Sequence, residues 1–168
     1  MTKEGNEPAK RLSGTILAID YGRARMGLAI AGVEANMAQP LGALERINRN
    51  EDMKRLRKLV REHAVKRIVV GLPLRLDGTR GEMAEEAERF ARRVHKQFGV
   101  AVEMVDERLT SWEAERLLEE TQGRFLNAEK ARAGKHRKAR AKTTVDAIAA
   151  AVILKEYLDR QGQPVAEN

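Results

Sequence analysis

The sequence predicts a single α/β domain: a mixed β-sheet with helices on both faces. Three observations predict it. Two short apolar runs near the start are separated by a glycine-containing turn. From residue 51 onward, helical periodicity alternates with short apolar strands. One of those strands, Lys66–Gly71 (KRIVVG), carries apolar residues without alternation, the pattern of a strand covered on both faces. Residues 1–13 and 161–168 are polar and aperiodic, and read as flexible tails around a domain spanning 14–160.

Thr15–Asp20 (TILAID) is an apolar run that ends in a carboxylate. Gly22 interrupts it and Met26–Ala31 (MGLAIA) resumes it, so the pair predicts a β-hairpin. A third strand is expected near Gly42–Arg46. Within Glu51–Ala64, Met53, Leu56, Leu59, Val60 and His63 recur at helical spacing. After the strand at 66–71, Gly81–Phe98 is a helix whose stripe is Met83, Ala87, Phe90, Val94 and Phe98, with Gly99 as its stop signal. Val100–Val105 is the next strand. Ser111, with Thr110 as the other candidate, caps a further helix, and Trp112 at its start reads as core. Glu129–Lys142 concentrates basic residues and predicts either a mobile loop or a solvated helix start. Thr143–Tyr157 is strongly apolar and predicts a tightly packed helix.

A chain of 168 residues is enough for one domain with its own core. It has no cysteine, which excludes disulfides, thiolate ligands and a cysteine nucleophile. Lys and Arg number 32 against 25 Asp and Glu, a net charge of +7. That excess suits a polyanionic partner, although a merely basic surface gives the same balance. Met1–Ser13 lacks the apolar stretch of a signal peptide, and no run reaches membrane-span length. A cytoplasmic location without membrane association is therefore expected.

Three acids have apolar surroundings. Asp20 closes a buried strand, Glu107 follows a strand end within Asp106-Glu107-Arg108, and Asp146 sits among Val145, Ala147 and Ile148. A buried carboxylate without a partner costs several kcal/mol or shifts its pKa. Each has a plain structural alternative: a turn cap for Asp20, a surface ion pair for Glu107, a first-turn acid for Asp146. Together they point further. Strand C-terminal ends and helix starts gather on one edge of a parallel-type sheet, where sites form. Three carboxylates meeting there need a cation between them. Oxygen ligands, with no cysteine and few histidines, favour Mg²⁺ or Mn²⁺. Such ions suit phosphoryl chemistry, and the basic surface would hold the substrate.

Four blocks carry a resemblance to a known family: Ile16–Ala31 (ILAIDYGRARMGLAIA), Ile68–Gly81 (IVVGLPLRLDGTRG), Val105–Leu118 (VDERLTSWEAERLL) and Val145–Leu158 (VDAIAAAVILKEYL). In this order the chain resembles the YqgF family of ribonuclease H-like proteins, described as Holliday junction resolvases and as pre-16S rRNA processing nucleases. The resemblance implies a ribonuclease H-like fold with a five-stranded mixed sheet. It also implies a metal-dependent nuclease whose catalytic and metal-binding acids are Asp20, Glu107 and Asp146, with Asp106 as an alternative to Glu107. Related resolvases carry a fourth acid near the last one; here Thr143 stands nearby and no acid is evident.

Candidate substrate contacts are Arg23 and Arg25 beside Asp20, Arg75 in the Gly71–Gly78 loop, Arg108, and Lys135, Arg137 and Lys138 in the basic stretch. Arg108 could equally orient Glu107, and exposed arginines without a role are common. The implied partner is structured RNA or branched DNA, bound by a monomer or a homodimer. A non-catalytic nucleic-acid-binding assembly or transcription factor is the main alternative. An actin-like phosphotransferase, suggested by the Asp-x-Gly start, lacks a second phosphate loop.

Overall fold

The computed structural model describes residues 14–32, 34, 37–109, 116, 119, 120, 123 and 137–162. Its strands are β1 (Thr15–Tyr21), β2 (Arg25–Gly32), β3 (Gln39–Glu45), β4 (Val65–Leu72) and β5 (Ala101–Asp106). Its helices are α1 (Arg49–Glu62), α2 (Glu82–Phe98) and α3 (Arg137–Gln161), with a 3₁₀ turn at Glu107–Leu109. The sheet order is β3-β2-β1-β4-β5. β1–β2 and β2–β3 are antiparallel, whereas β1–β4 and β4–β5 are parallel. This is the five-stranded mixed sheet expected from the sequence. The helix expected after Ser111, with Trp112, falls largely outside the described residues.

Strand alternation sends side chains to two cores. On one face Leu17, Ile19, Met26, Leu28, Ile68 and Val70 pack with Met53 and Leu56 of α1 and Phe90 and Val94 of α2. On the other, Ile16, Ala18, Ala29, Val69 and Val105 pack with Ala150, Ile153, Leu154 and Tyr157 of α3. Each fully buried aliphatic side chain contributes roughly 1.5–3 kcal/mol, so the two layers fix the helices on opposite faces.

The element ends follow local chemistry. α1 starts at Arg49, two residues before the expected Glu51, because the Asn48 side chain accepts from the Glu51 amide at 2.9 Å. Inside its first turn, buried Asp52 accepts from Arg46 Nε at 2.9 Å and from the Ile47 amide at 3.0 Å. α2 ends as the sequence predicts, with Gly99 in the left-handed region at φ 66. α3 begins at Arg137, within the basic stretch expected as either a loop or a helix start. The C-terminal part of the basic stretch is thus a helix start rather than a loop, while residues 129–136 lie outside the described residues. No helix among the described residues is long and apolar enough to cross a membrane.

Candidate active site

β1, β4 and β5 are mutually parallel through β4, so their C-terminal ends share one edge. Asp20 is the penultimate residue of β1, and Glu107 directly follows β5. Parity places both on the α3 face. Asp20 continues the row Ile16, Ala18, and Glu107 lies two residues beyond Val105, all of them residues of the α3-side core. Asp146 enters from α3, one residue before buried Ala147 and four before buried Ala150.

The side chains of Asp20 and Glu107 are hydrogen-bonded to each other. Two carboxyls can do this only if they share a proton. Burial is the main cause that raises Asp20 from 3.8 to about 6, with the nearby Asp146 charge adding to it and the Glu107 hydrogen bond opposing. Burial, then the Asp20 charge, raises Glu107 from 4.5 to about 7. Burial thus pushes both carboxyls up, and the pair holds one proton between them.

Asp146 is near enough to Asp20 to repel it, but its carboxylate is engaged elsewhere. Arg25 Nε donates to Asp146 Oδ2 at 2.6 Å. Among the described residues no group of three His, Asp or Glu side chains is arranged to hold one ion. The expected three-acid cluster is thus a two-acid pair with a third acid alongside, tied to an arginine.

Two glycines make this arrangement possible. A Cβ at Gly27, whose β-ladder partner is Asp20, would overlap the backbone carbonyl of Asp146 and lie 3.2 Å from its Cα. A Cβ at Gly71 would overlap Glu107 Oε1 and come within 2.7 Å of Ile153 Cδ1. Gly27 brings the α3 backbone onto the sheet, and Gly71 clears the space that Glu107 occupies. Neither role is evident from motif reading, although a glycine inside a strand is the known signal for close backbone approach.

Asp106, the alternative to Glu107, faces the opposite way. Arg108 Nη2 donates to Asp106 Oδ2 at 2.8 Å and Arg108 Nε donates to Oδ1 at 3.1 Å, which holds the Asp106 carboxyl below its usual range. Arg108 thus orients Asp106 rather than Glu107. It also reaches the Leu76 carbonyl at 3.4 Å, tying the β4–α2 loop to the end of β5. In that loop Arg75 donates its amide to the Thr79 carbonyl at 2.9 Å, and its guanidinium lies beside Gly81 at the start of α2. Arg23 is held by Glu86 at 2.8 Å and by Glu82 at 3.3 Å, both on α2. Arg25 is the first residue of β2, not a loop residue. Arg137 and Lys138 open α3, and Lys135 lies outside the described residues.

Comparison with known proteins agrees with this architecture. The family model described as "RuvX: Holliday junction resolvase" matches residues 14–160. A protein of Koribacter versatilis, provisionally named a pre-16S rRNA nuclease, is 38% identical over 149 residues, covering 89% of each chain. A Bordetella pertussis protein with the same provisional name is 39% identical over 150 residues, covering 89% of this chain and 97% of its own. Among solved structures, T. thermophilus RuvC in complex with a Holliday junction substrate superposes with a TM-score of 0.52 at 17% identity, covering 89% of this chain and 96% of that one. At that identity the likeness concerns the fold, which is ribonuclease H-like.

Proposed function

The chain belongs to the RuvX family, and from that premise we propose that it is a divalent-metal-dependent endonuclease that hydrolyses phosphodiester bonds. Its substrate is the 5′ end of pre-16S rRNA, with branched DNA as a second substrate. The observation that carries this reading is the Asp20–Glu107 carboxyl pair at the shared edge.

The pair fits a hard cation. Its donors are all oxygen, both carboxylates are desolvated, and their mutual repulsion is met by a shared proton that a cation would displace. Asp20 and Glu107 would hold Mg²⁺ or Mn²⁺, with Asp146 as the third ligand. An ion bound there lowers the pKa of an attacking water and stabilises the leaving oxygen.

The remaining work falls to the chain's own groups. Partial burial at the α3 face desolvates the pair and strengthens the charge interactions in it. The cations at this edge, Arg75 on the β4–α2 loop, Arg108 in the 3₁₀ turn after β5 and Arg25 at the start of β2, contact backbone phosphates and set the register of the strand being cut, whereas Arg23 is held by Glu82 and Glu86. Lys135, Arg137 and Lys138 add positive charge from the basic stretch of the sequence.

The test is incubation of the full-length protein with a precursor 16S rRNA and with a four-way DNA junction, with and without Mn²⁺. Metal-dependent cleavage that disappears in Asp20→Asn, with a thermal melt no lower than that of wild type, is the expected result. Salt-sensitive binding without turnover under any metal condition would instead assign a non-catalytic role in ribosome assembly or transcription.

A further inference from the structure

Asp20 and Glu107 face each other, whereas Asp146 is taken by a cation of the chain itself. The backbones at the two ends of that ion pair are fixed. Arg25 opens β2 and is paired in register with Glu45 of β3. Two residues on, Gly27 packs directly beneath the Asp146 backbone, so the helix can move no closer. What remains free to change is the side chains. Both lie partly open to solvent, at 29% for Arg25 and 27% for Asp146. The pair therefore sits at the rim of the site, where a competing cation can reach it.

Resting on the metal-nuclease reading above, we infer that Arg25 is a latch on Asp146. It neutralises the third carboxylate while no divalent cation is bound, and so limits repulsion between Asp146 and Asp20. It also withholds Asp146 from the other two acids, which accounts for the missing three-acid group among the described residues. Cation binding takes Asp146 from Arg25. The guanidinium, released at the same edge, then meets a phosphate oxygen of the substrate. Arg25 thus couples the arrival of metal to the capture of nucleic acid. Its action on the metal is that of a positioning residue, exerted through Asp146. An arginine that served only to orient Asp146 would strengthen metal binding, whereas a latch weakens it, so the two roles differ in sign.

The experiment is Mn²⁺ binding to the full-length protein without nucleic acid, followed by titration calorimetry at pH 7.5. Arg25→Gln is expected to bind Mn²⁺ more tightly than wild type, on the order of tenfold, the effect of one lost charge-assisted hydrogen bond. Arg23→Gln removes a positive charge at the same edge that is held by Glu82 and Glu86 instead. It is expected to leave the affinity unchanged. Equal tightening in both variants would reveal a general field effect and overturn the latch. So would unchanged or weaker binding in Arg25→Gln. Absence of Mn²⁺ binding in wild type and variants alike would overturn the nuclease reading together with the latch. Where Arg25→Gln melts too low to titrate, Arg25→Lys replaces the planar fork by a point charge, and tightening in the same direction is required of it.

Discussion

Glu107 reaches Asp20 across Gly71, on the strand that separates them. β4 lies between β1 and β5 in the sheet, Val70 is the register partner of Ile19, and Gly71 is the partner of Val105. The missing side chain at Gly71 leaves the path along which the Glu107 carboxylate extends. The site is therefore built from a vacancy in the middle strand as much as from the acids themselves.

Gly71→Ala tests this directly. The added methyl meets Glu107 and the Ile153 side chain, both of which can shift, so a destabilisation of about 1–3 kcal/mol is expected. Denaturant unfolding measures it. Nuclease activity should fall further than stability, since Glu107 is displaced from Asp20. In Gly27→Ala the clash is with the Asp146 backbone, which has less freedom to yield, and the loss of stability should exceed that of Gly71→Ala.

Neutralising Asp20 should stabilise the fold at neutral pH. Its folded pKa of about 6 lies above the unfolded value near 3.8, and that of Glu107, about 7, lies above 4.5. Between those values the unfolded chain binds fewer protons, so stability falls as pH rises through them. Asp20→Asn escapes its share of this loss. Its melting temperature should match wild type near pH 4 and exceed it above pH 7, with a gain of about 1–3 kcal/mol. Melts recorded across that range give the result, and a constant difference at all pH values would contradict the pKa assignment.

The two neighbouring acids at the end of β5 should separate cleanly. Asp106 faces Arg108 and Glu107 faces Asp20. Asp106→Asn should change cleavage by only about twofold, as for a surface substitution away from the chemistry. Glu107→Gln should abolish it. Initial cleavage rates under saturating metal decide between them, and equal losses would shift the role to Asp106.

Asp52 is a structural acid. It is 3% exposed, with Arg46 and the Ile47 amide as partners. Arg46 in turn lies over the Tyr21 ring at 4.9 Å and donates to the Gly22 carbonyl at 3.1 Å, so the pair braces the hairpin turn that follows Asp20. Asp52→Ala leaves a half-buried guanidinium without its carboxylate and should cost about 3 kcal/mol in denaturant unfolding.

Much of this site was legible in the sequence because strand parity is. Ile16, Ala18 and Asp20 alternate with Leu17, Ile19 and Tyr21, so the side of the sheet that Asp20 occupies follows from counting. The same count separates Glu107 from Asp106 once Val105 is known to be buried. Partners could not be counted. Arg25 and Asp146 are 121 residues apart, and nothing local marks them as a pair. Arg23 read as a phosphate contact, yet the carboxylates that hold it come from a helix 59 and 63 residues away. The start of α3 stayed open between a loop and a helix start for a different reason. Residues 137–142 are Arg, Lys and Ala, all good helix formers, but they carry no hydrophobic periodicity from which a helix could be counted.

The most direct test is a crystal structure of the protein soaked in Mn²⁺, with data collected for anomalous scattering. An anomalous peak is expected about 2.1 Å from a carboxylate oxygen of both Asp20 and Glu107, as for a hard octahedral cation. A map at saturating Mn²⁺ in which those two carboxyls remain hydrogen-bonded to each other, with the metal elsewhere or absent, would contradict the account.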